Sequence, residues 1–394
     1  MKHSADVIIV GGGMVGAALA ASLGQAGMRV VLVEGQGPPE PVAIDDPFDL
    51  RISSLNLGSC RLLEAVGAWP LIPEQRRCAF TRIEASDEEE MGAVRFDAAT
   101  IGLDGFGHFV ENRVIRQALW QRLRALSNVT IHCHAGPTAL HIGDELAALE
   151  LDSGQTLTAS LVVGADGAGS RVRELAGIRT SDHDYDQRAL IVNVRTCLPQ
   201  QDVSWQRFTA GGPQAMLPLP GPRASLVWYG KPDLVRERES MDDETLRQAV
   251  EQSFPRRLGG LEAVLGRGSF PIRRQHARHY VERRLALVGD AAHVIHPLAG
   301  QGLNLGLQDV TTLSAALTSA HATGDDPGSR RVLGRYALIR RPQVLAMIAA
   351  TEAFHQTFTG PKPLRMTGTA GLALANQLGP VKSLMMRFAL GLSG

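Results

Sequence analysis

The sequence has 394 residues, and its 40 basic side chains are balanced by 40 acidic ones. Balanced charge without a basic stripe argues against nucleic-acid binding. With 44% apolar and 20% charged residues, the composition is that of an ordinary globular protein. The length predicts two or three domains, or one large core with an inserted subdomain.

We expect neither an export signal nor a membrane-spanning segment in this sequence. Asp6 and the glycines from Gly11 interrupt any signal-peptide apolar region. No run approaches the roughly 18 apolar residues of a spanning helix. Four cysteines lie too far apart for a CxxC pair and are expected to be reduced thiols: Cys60, Cys78, Cys133 and Cys197. We expect a cytoplasmic protein, with peripheral contact at the inner face of the cytoplasmic membrane left open.

The first 34 residues predict a strand, a glycine turn, a helix and a second strand. The turn contains Gly11, Gly13, Met14 and Gly16, and Glu34 ends the second strand. The first glycine makes the tight turn, the second lets backbone approach a pyrophosphate, and the third packs helix on strand. The helix N-terminus supplies N–H groups for the phosphates, and Glu34 can accept hydrogen bonds from a ribose. This unit predicts dinucleotide binding, but FAD and NAD share the fingerprint.

A second glycine site at 285–309, LALVGDAAHVIHPLAGQGLNLGLQD, favours FAD. An apolar strand stops at Gly289-Asp290, and three glycines then open a helix: Gly300, Gly302 and Gly306. FAD is longer than NAD and needs a cradle for its ribityl chain and ring. We expect Asp290 to accept from a ribityl hydroxyl, and backbone amides to face the flavin ring. The predicted cradle comprises Pro297, Gly300, Gln301, Gly302, Leu303 and Asn304.

The predicted fold class is α/β, a Rossmann-type FAD-binding domain with an inserted antiparallel substrate-binding sheet and a C-terminal helical region. Alternating strands between about 180 and 270, and a hairpin at 80–97, indicate the inserted sheet. The chain is helical from 311, with breaks expected at Pro342 and Gly360-Pro361. The expected boundaries are 1–75, 98–178 and 271–340 for the FAD-binding domain, 76–97 and 179–270 for the substrate domain, and 341–394 for the helical region.

Three motifs together resemble those of the single-component flavin aromatic hydroxylases. They are the GxGxxG turn, the Asp166-Gly167 pair of GADGAGSRVR, and the Gly289-Asp290 pair of LVGDAAH. More narrowly, HPLAGQGLNLGLQD and the RISSLN stretch at 51–56 are similar to the ubiquinone-biosynthesis hydroxylases. The resemblance covers nearly the whole chain, and several stretches look closest to the member that makes the last ring hydroxylation.

The resemblance implies FAD as cofactor, NAD(P)H as reductant, and O2 and a polyprenyl quinol as substrates. In that family, oxygen adds to the reduced flavin as a C4a-hydroperoxide, which hydroxylates the ring. By family position, Arg51, Asn112 and Asp166 would contact the cofactor or NADPH. Each has a simpler alternative: a surface arginine for Arg51, a loop residue or helix cap for Asn112, and a cap of the following helix for Asp166.

The inserted sheet is expected to form an apolar roof over the flavin. Phe208, Leu217 and Trp228 are the predicted substrate contacts, with Trp205 and Met216 nearby. His296 is the candidate acid–base residue. A metal site shared with His293 is not expected, because this segment is a loop and offers no third ligand.

At the C-terminus, residues 380–392 place Val381, Leu384, Met385, Phe388 and Leu392 on one helical face. Such a helix packs on its own domain, or it contacts a membrane or partner proteins of a ubiquinone-biosynthesis complex. Three rival functions stay open: hydroxylation at another ring position, reduction of isoprenoid chains, and a flavoprotein scaffold without turnover.

Overall fold

The computed structural model describes residues 5–88, 93–199, 202–255, 259–297, 300–360 and 367–368. These residues form two large sheets, one small sheet and helices packed around them. Strands and helices are numbered separately in chain order. The architecture confirms the predicted α/β class with an inserted, mainly antiparallel sheet.

The first sheet has a parallel core of near-continuous apolar strands, which is expected of strands buried on both faces. Its main path is β17 (Val281–Glu282), β18 (Leu285–Leu287), β11 (Thr156–Gly164), β1 (Ala5–Val10), β2 (Val30–Glu34) and β8 (Val129–Cys133). An antiparallel pair, β9 (Pro137–Ile142) and β10 (Ala147–Leu151), extends from β11. Parallel pairing of β18, β11, β1 and β2 brings both predicted glycine sites to the carboxyl edge of one sheet.

The second sheet is the inserted one. Its order is β19 (His293–Val294), β16 (Leu261–Ala277), β12 (Thr180–Thr196), β15 (Arg223–Gly230), β14 (Gly212–Leu219), β13 (Val203–Thr209), β5 (Arg82–Asp87) and β6 (Ala93–Asp97). The β5–β6 pair is the predicted hairpin. Strand β16 passes through residue 271, the expected domain boundary, and remains in this sheet to Ala277.

A small third sheet lies beside the carboxyl edge of the first sheet. It consists of β3 (Ile52–Asn56), β7 (Gly107–Glu111) and β4 (Arg77–Phe80), paired antiparallel. Phe80 and Phe109 of this sheet, together with Phe106 just before β7, form a buried cluster against which Leu217 of the inserted sheet packs. The third sheet and the inserted sheet therefore face each other across an apolar space.

Helices cover the faces of the sheets. They are α1 (Met14–Gln25), α2 (Leu57–Ala65), α3 (Asn112–Arg124), α4 (Arg171–Leu175), α5 (Pro232–Ser240), α6 (Asp243–Ser253), α7 (Gly302–Thr323) and α8 (Arg330–Thr359). Across the described ranges, none of them is both long enough and apolar enough to span a membrane.

The predicted break at Pro342 is wrong, because α8 continues through it. Proline removes one backbone hydrogen bond from a helix interior. Both halves of α8 bury side chains, with Leu333 and Tyr336 before the proline and Val344 and Ile348 after it. This tertiary packing outweighs the local penalty. Residues 369–394 of the expected helical region, including 380–392, lie outside the described residues.

Candidate active site

In the first glycine turn, a side chain at two of the glycines would clash with protein backbone, whereas a side chain at the third would not. A Cβ on Gly11, whose φ is +107°, would lie 2.3 Å from the Ala165 carbonyl oxygen. A Cβ on Gly16 would lie 2.0 Å from the Gly11 carbonyl oxygen, whereas one on Gly13 would meet nothing within 4 Å. Gly13 is the N-cap of α1 and provides no side-chain cap. The amides beside it are therefore available to a phosphate.

Helix α3 supports this turn from behind through residues that the sequence did not indicate. Trp120 Nε1 and Arg116 Nε both donate to the Gly12 carbonyl oxygen, at 2.8 and 3.0 Å. Glu34 Oε2 accepts from the Gly12 amide at 2.5 Å. Spacing of four residues puts Arg116 and Trp120 on one face of α3, but this spacing does not reveal which backbone atoms they contact.

The second glycine site lies directly beside the first. A Cβ on Gly306 would approach Val15 Cγ2 to 2.7 Å, and one on Gly289 would approach the same side chain to 3.2 Å. Gly306 therefore lets α7 pack closely on α1, rather than making room for a ligand. Gly300 has φ +62°, which favours glycine, and a Cβ on Gly302 would meet nothing within 4 Å. Only the first two glycines of the helix start remain for a ligand.

Asp290 lies in the short 3₁₀ turn Gly289–Ala291 that follows β18. Its side chain is exposed, yet protein surrounds the carboxyl group closely enough for desolvation to raise its pKa. The nearby His293 and Arg51 act in the opposite direction. Arg51 is exposed and lies over the Phe270 ring, 5.6 Å from its centroid. The structure thus brings Asp290, Arg51 and the start of α7 to one region, as expected.

A buried charge network positions the turn that carries Asp290. Asp309 Oδ2 accepts from the Gly289 amide at 2.9 Å and lies 2.6 Å from His293 Nε2. Its Oδ1 accepts from Arg340 Nε at 2.8 Å. Burial alone would raise the pKa of Asp309, but His293 and Arg340 outweigh burial and lower it. Neither Asp309 nor Arg340 was identified from the sequence.

We expect Asp309→Ala to lower the free energy of unfolding by about 3–5 kcal/mol, because it leaves the Arg340 charge buried without its partner. Urea denaturation at neutral pH measures this change. Asp45→Ala, which removes an exposed carboxylate from the loop between β2 and β3, is the matched control and should change stability by less than about 0.5 kcal/mol. A similarly small loss for both variants would contradict the role assigned to the network.

Three predicted cofactor residues have clear roles within the protein. Asn304 Nδ2 donates to the Ser54 carbonyl oxygen at 2.7 Å, and its Oδ1 accepts from Ser59 Oγ at 2.7 Å. Asn112 Oδ1 accepts from Ser53 Oγ at 2.6 Å.

Asp166 accepts hydrogen bonds from Ser170 Oγ and from the Val172 amide in the first turn of α4. These contacts match the simpler alternative given for Asp166, a cap of the following helix. The side chains of Asn304, Asn112 and Asp166 therefore order the walls of the site. Contact with a cofactor stays a prediction for these residues.

A cavity of about 390 Å³ opens between the inserted sheet, the third sheet and the start of α7. This volume is typical of a small-molecule site. Leu217, one of the predicted substrate contacts, lines it, and Pro297, Gly300 and Gln301 form its rim beside the start of α7. The remaining wall is mostly aliphatic and aromatic, including Ile191, Val227, Phe96 and Phe106.

The structure does not bring Trp228 or Phe208 to the cavity. Trp228 pairs with Gln214 on the opposite face of the sheet, where it packs in a cluster with Trp205 and Phe254. Successive strand residues face opposite sides, so Val227 and Tyr229 line the cavity instead. Phe208 stacks on Phe358 of α8, with ring centroids 4.3 Å apart.

His296 lies behind the cavity wall. Its ring is fully buried and stacks on Tyr229, with centroids 5.9 Å apart, and Tyr229 lines the cavity. Burial, with a smaller contribution from His355, lowers the pKa of His296 to about 3. The imidazole is therefore neutral near pH 7 and does not provide an imidazolium acid there. Its contacts support a positioning role for Tyr229.

The lowered pKa of His296 makes a specific contribution to acid sensitivity. The unfolded chain takes up a proton near pH 6.5, whereas the folded state does so only near pH 3. The contribution of neutral His296 to the free energy of unfolding is fully present above pH 6.5. It is lost as the pH falls toward 3, by up to about 1.4 kcal/mol per pH unit. We expect His296→Asn to reduce the slope of unfolding free energy between pH 6 and pH 5 by roughly that amount. An unchanged slope in urea denaturation would contradict the burial of a neutral imidazole.

The geometry fits FAD. Two helices without side-chain caps, α1 and α7, begin at adjacent points on one sheet edge. Open space lies at Gly13 and Gly302, and an acidic side chain stands at each strand end, Glu34 and Asp290. Gly13 and the start of α1 would hold the pyrophosphate, Glu34 the adenosine ribose, Asp290 the ribityl chain, and the amides from Gly300 the ring. Such an arrangement defines a flavin-binding protein.

Comparison with known proteins agrees with this class. The model of the FAD-binding domain family matches residues 4–104 and 108–351. PqsL, a probable FAD-dependent monooxygenase from Pseudomonas aeruginosa, has a crystal structure that is 23% identical, with a TM-score of 0.77 over 94% of this chain and 100% of that chain. The p-nitrophenol 4-monooxygenase PnpA from Pseudomonas putida DLL-E4 gives a TM-score of 0.77 at 20% identity, over 99% of each chain. These solved structures share the fold.

More similar relatives define the family. The 3-demethoxyubiquinol 3-hydroxylase of Escherichia coli (strain K12) is 42% identical over 98% of both chains. Ubiquinone hydroxylase UbiL of Rhodospirillum rubrum is 38% identical over 98% of this chain and 90% of the relative. The human mitochondrial ubiquinone biosynthesis monooxygenase COQ6 is 33% identical over 98% and 92%. This chain belongs to the FAD-dependent monooxygenases of ubiquinone biosynthesis, whose general reductant is NAD(P)H.

Proposed function

We propose that this protein hydroxylates the ring of a polyprenyl benzoquinol. The observation that carries the proposal is the apolar cavity between the inserted sheet and the start of α7, with its rim at Pro297, Gly300 and Gln301. A ring in this cavity would lie between Leu217 and the cofactor edge. Support also comes from the relatives, which are named as hydroxylases and monooxygenases of ubiquinone biosynthesis.

The reaction replaces a ring C–H bond with C–OH. One oxygen atom of O2 enters the ring and the other leaves as water, with two electrons from NAD(P)H and one proton completing the balance. Bound FAD supplies the oxygen activation that this chemistry requires. The quinol hydroxyls already activate the ring, so the main tasks of the chain are to orient the ring and to exclude water.

The two ends of the cavity differ in chemistry, and this difference supports one orientation of the substrate. Its cofactor end carries the exposed Arg51 and the rim of α7, whereas Phe80, Phe106 and Phe109 form an aromatic wall from the third sheet. We infer that the ring lies at the first end and that the prenyl tail follows the aromatic wall. Apolar contact along that wall would stabilise the tail by roughly 25 cal/mol per Å² buried.

The experiment that tests the substrate is lipid profiling of cells that lack this protein. A hydroxylase of this type predicts accumulation of one polyprenyl intermediate that lacks a single ring oxygen, and its structure identifies the ring position. Return of the wild-type gene should clear that intermediate. A normal quinone profile in the deletion strain would reject ring hydroxylation. So would a fully hydroxylated ring that carries a less saturated prenyl chain. The second outcome would favour the isoprenoid-chain reductase.

We further propose that residues 380–392 help to collect the lipid substrate at a membrane or from a partner protein of the pathway. This segment lies outside the described residues, and the support is its sequence: an apolar stripe from Val381 to Leu392 with Lys382 and Arg387. Each basic residue near an anionic surface contributes about 1 kcal/mol, so binding should be reversible and salt-sensitive. Deleting 380–394 should lower activity on a long-tailed quinol in vesicles while sparing a short-tailed quinol. Equal loss of both activities would reject the delivery role.

A further inference from the structure

The cavity wall on the inserted sheet contains a buried hydroxyl that the fold does not use. Ser225 of β15 lines the cavity, and only 1% of its surface is exposed. Its Oγ has no hydrogen-bond partner within the described part of the chain. A buried hydroxyl without a partner is unfavourable, whereas an apolar group of the same shape is tolerated. Packing alone therefore gives no reason for a serine here.

A second buried polar atom lies on the neighbouring strand. Asn193 pairs with Ser225 across β12 and β15, and its Nδ2 donates to the carbonyl oxygens of Phe48 and Asp49, at 3.2 and 3.1 Å. Because both carbonyls need a donor, the amide orientation is fixed. Asn193 Oδ1 is then left without a partner among residues that the structure describes. The Ser225 hydroxyl, a potential donor, and Asn193 Oδ1, an acceptor, therefore lie at paired positions on neighbouring strands.

The surroundings of this pair are apolar. Leu217 pairs with Ser225 on the other side, and Val227 is the next residue of β15 on the same face. A serine side chain moves between three staggered rotamers without any change in the backbone. No hydrogen bond within the described residues holds the Ser225 hydroxyl in its present rotamer. Its geometry suits a ligand oxygen in the cavity.

We propose that Ser225 recognises a hydroxyl of the quinol ring and thereby selects the orientation of the ring. A quinol hydroxyl can accept from Ser225 Oγ, and Asn193 Oδ1, at the paired position of β12, provides an acceptor on the same face of the sheet. Ser225 lies four residues from Tyr229, roughly 13 Å along β15. Tyr229 stacks on His296, the neighbour of Pro297 at the cofactor end of the cavity. The recognised hydroxyl is therefore the one on the ring edge that faces away from the cofactor. This inference rests on the proposed function.

The test compares three probes by anaerobic titration, with the fluorescence of bound FAD as the readout. The probes are a short-tailed 1,4-benzoquinol and the two phenols that each lack one of its hydroxyls. Wild type should bind one phenol about tenfold more weakly than the quinol, and Ser225→Ala should reduce that ratio below about threefold. Ser204→Ala is the control, because Ser204 Oγ on the same face already donates to the Met216 carbonyl oxygen at 3.3 Å. It should leave the ratio unchanged.

Thermal unfolding separates recognition from a structural role. If the hydroxyl serves the ligand, the Tm of Ser225→Ala without quinol equals or exceeds that of wild type. A lower Tm together with an unchanged ratio of dissociation constants would overturn the inference. If wild type binds no probe, both the inference and the proposed function fail. If wild type discriminates through Ser225 but never hydroxylates the quinol, the proposed function alone fails.

Discussion

Gly13→Asp should fold at least as stably as wild type and bind FAD roughly a thousandfold more weakly. Gly13 is the N-cap of α1, and its Cβ would meet nothing within 4 Å. Aspartate is a favoured N-cap and suits the positive helix end, so the protein without FAD loses nothing. The new carboxylate occupies the position proposed for the pyrophosphate. Repulsion between charges about 4 Å apart costs about 4 kcal/mol at an effective dielectric constant of 20. Equilibrium dialysis of FAD and urea denaturation measure the two effects.

Two further variants at the same turn separate charge from shape. Gly13→Asn keeps the cap and nearly the size of aspartate without its charge, so it should lose less affinity for FAD. Gly16→Ala should instead destabilise the fold itself, because its Cβ would lie 2.0 Å from the Gly11 carbonyl oxygen. If Gly13→Asp retains wild-type FAD affinity, the pyrophosphate does not lie at this helix start.

Leu217→Glu should reduce kcat/KM for the quinol by roughly a hundredfold or more while FAD stays bound. Leu217 lines the cavity opposite the cofactor rim and packs against the aromatic cluster of the third sheet. A carboxylate there places an unpaired charge against an apolar ring, at a cost of about 3 kcal/mol or more. Steady-state oxygen consumption and the absorbance of bound flavin provide the two readouts.

Leu217→Met and Leu265→Glu are the matched controls. Methionine conserves the volume and polarity of the wall and should cost less than about 1.5 kcal/mol. Leu265 lies on β16 of the same sheet with 42% of its surface exposed, so glutamate there should have little effect. Loss of FAD from Leu217→Glu at wild-type stability would place the inserted sheet in the cofactor site and reject the substrate assignment.

Features set by local sequence were predicted well. The strand–turn–helix around Gly11 and Gly13, and the acidic residue at the end of β2, depend on neighbouring residues and on the needs of a pyrophosphate. The two glycine sites meet because parallel strands place their carboxyl ends on one edge. That outcome follows from the fold class and needed no side-chain detail.

Features set by distant contacts were predicted poorly. Gly306 was grouped with Gly300 and Gly302 in the second glycine site, because the sequence does not show that Val15 packs against it. The Asp309–Arg340 pair joins α7 to α8 through residues 31 positions apart, and the motif that ends at Asp309 does not identify its partner.

Trp228 was predicted to face the flavin from the inserted sheet, but the face of a strand depends on register, and a shift of one residue reverses it. The cavity is accordingly lined by Val227 and Tyr229.

The most direct test of ring hydroxylation is the fate of labelled oxygen. Purified protein with FAD, NAD(P)H and a short-tailed benzoquinol is supplied with ¹⁸O2, and the product is examined by mass spectrometry. The proposed function predicts one ¹⁸O atom per product molecule, bonded to a ring carbon, and the second atom in water. Leu217→Glu, with its flavin bound, should give almost none of this product. Oxidation of NAD(P)H without labelled product in the wild type, or a ring oxygen that comes from water, would contradict the central claim.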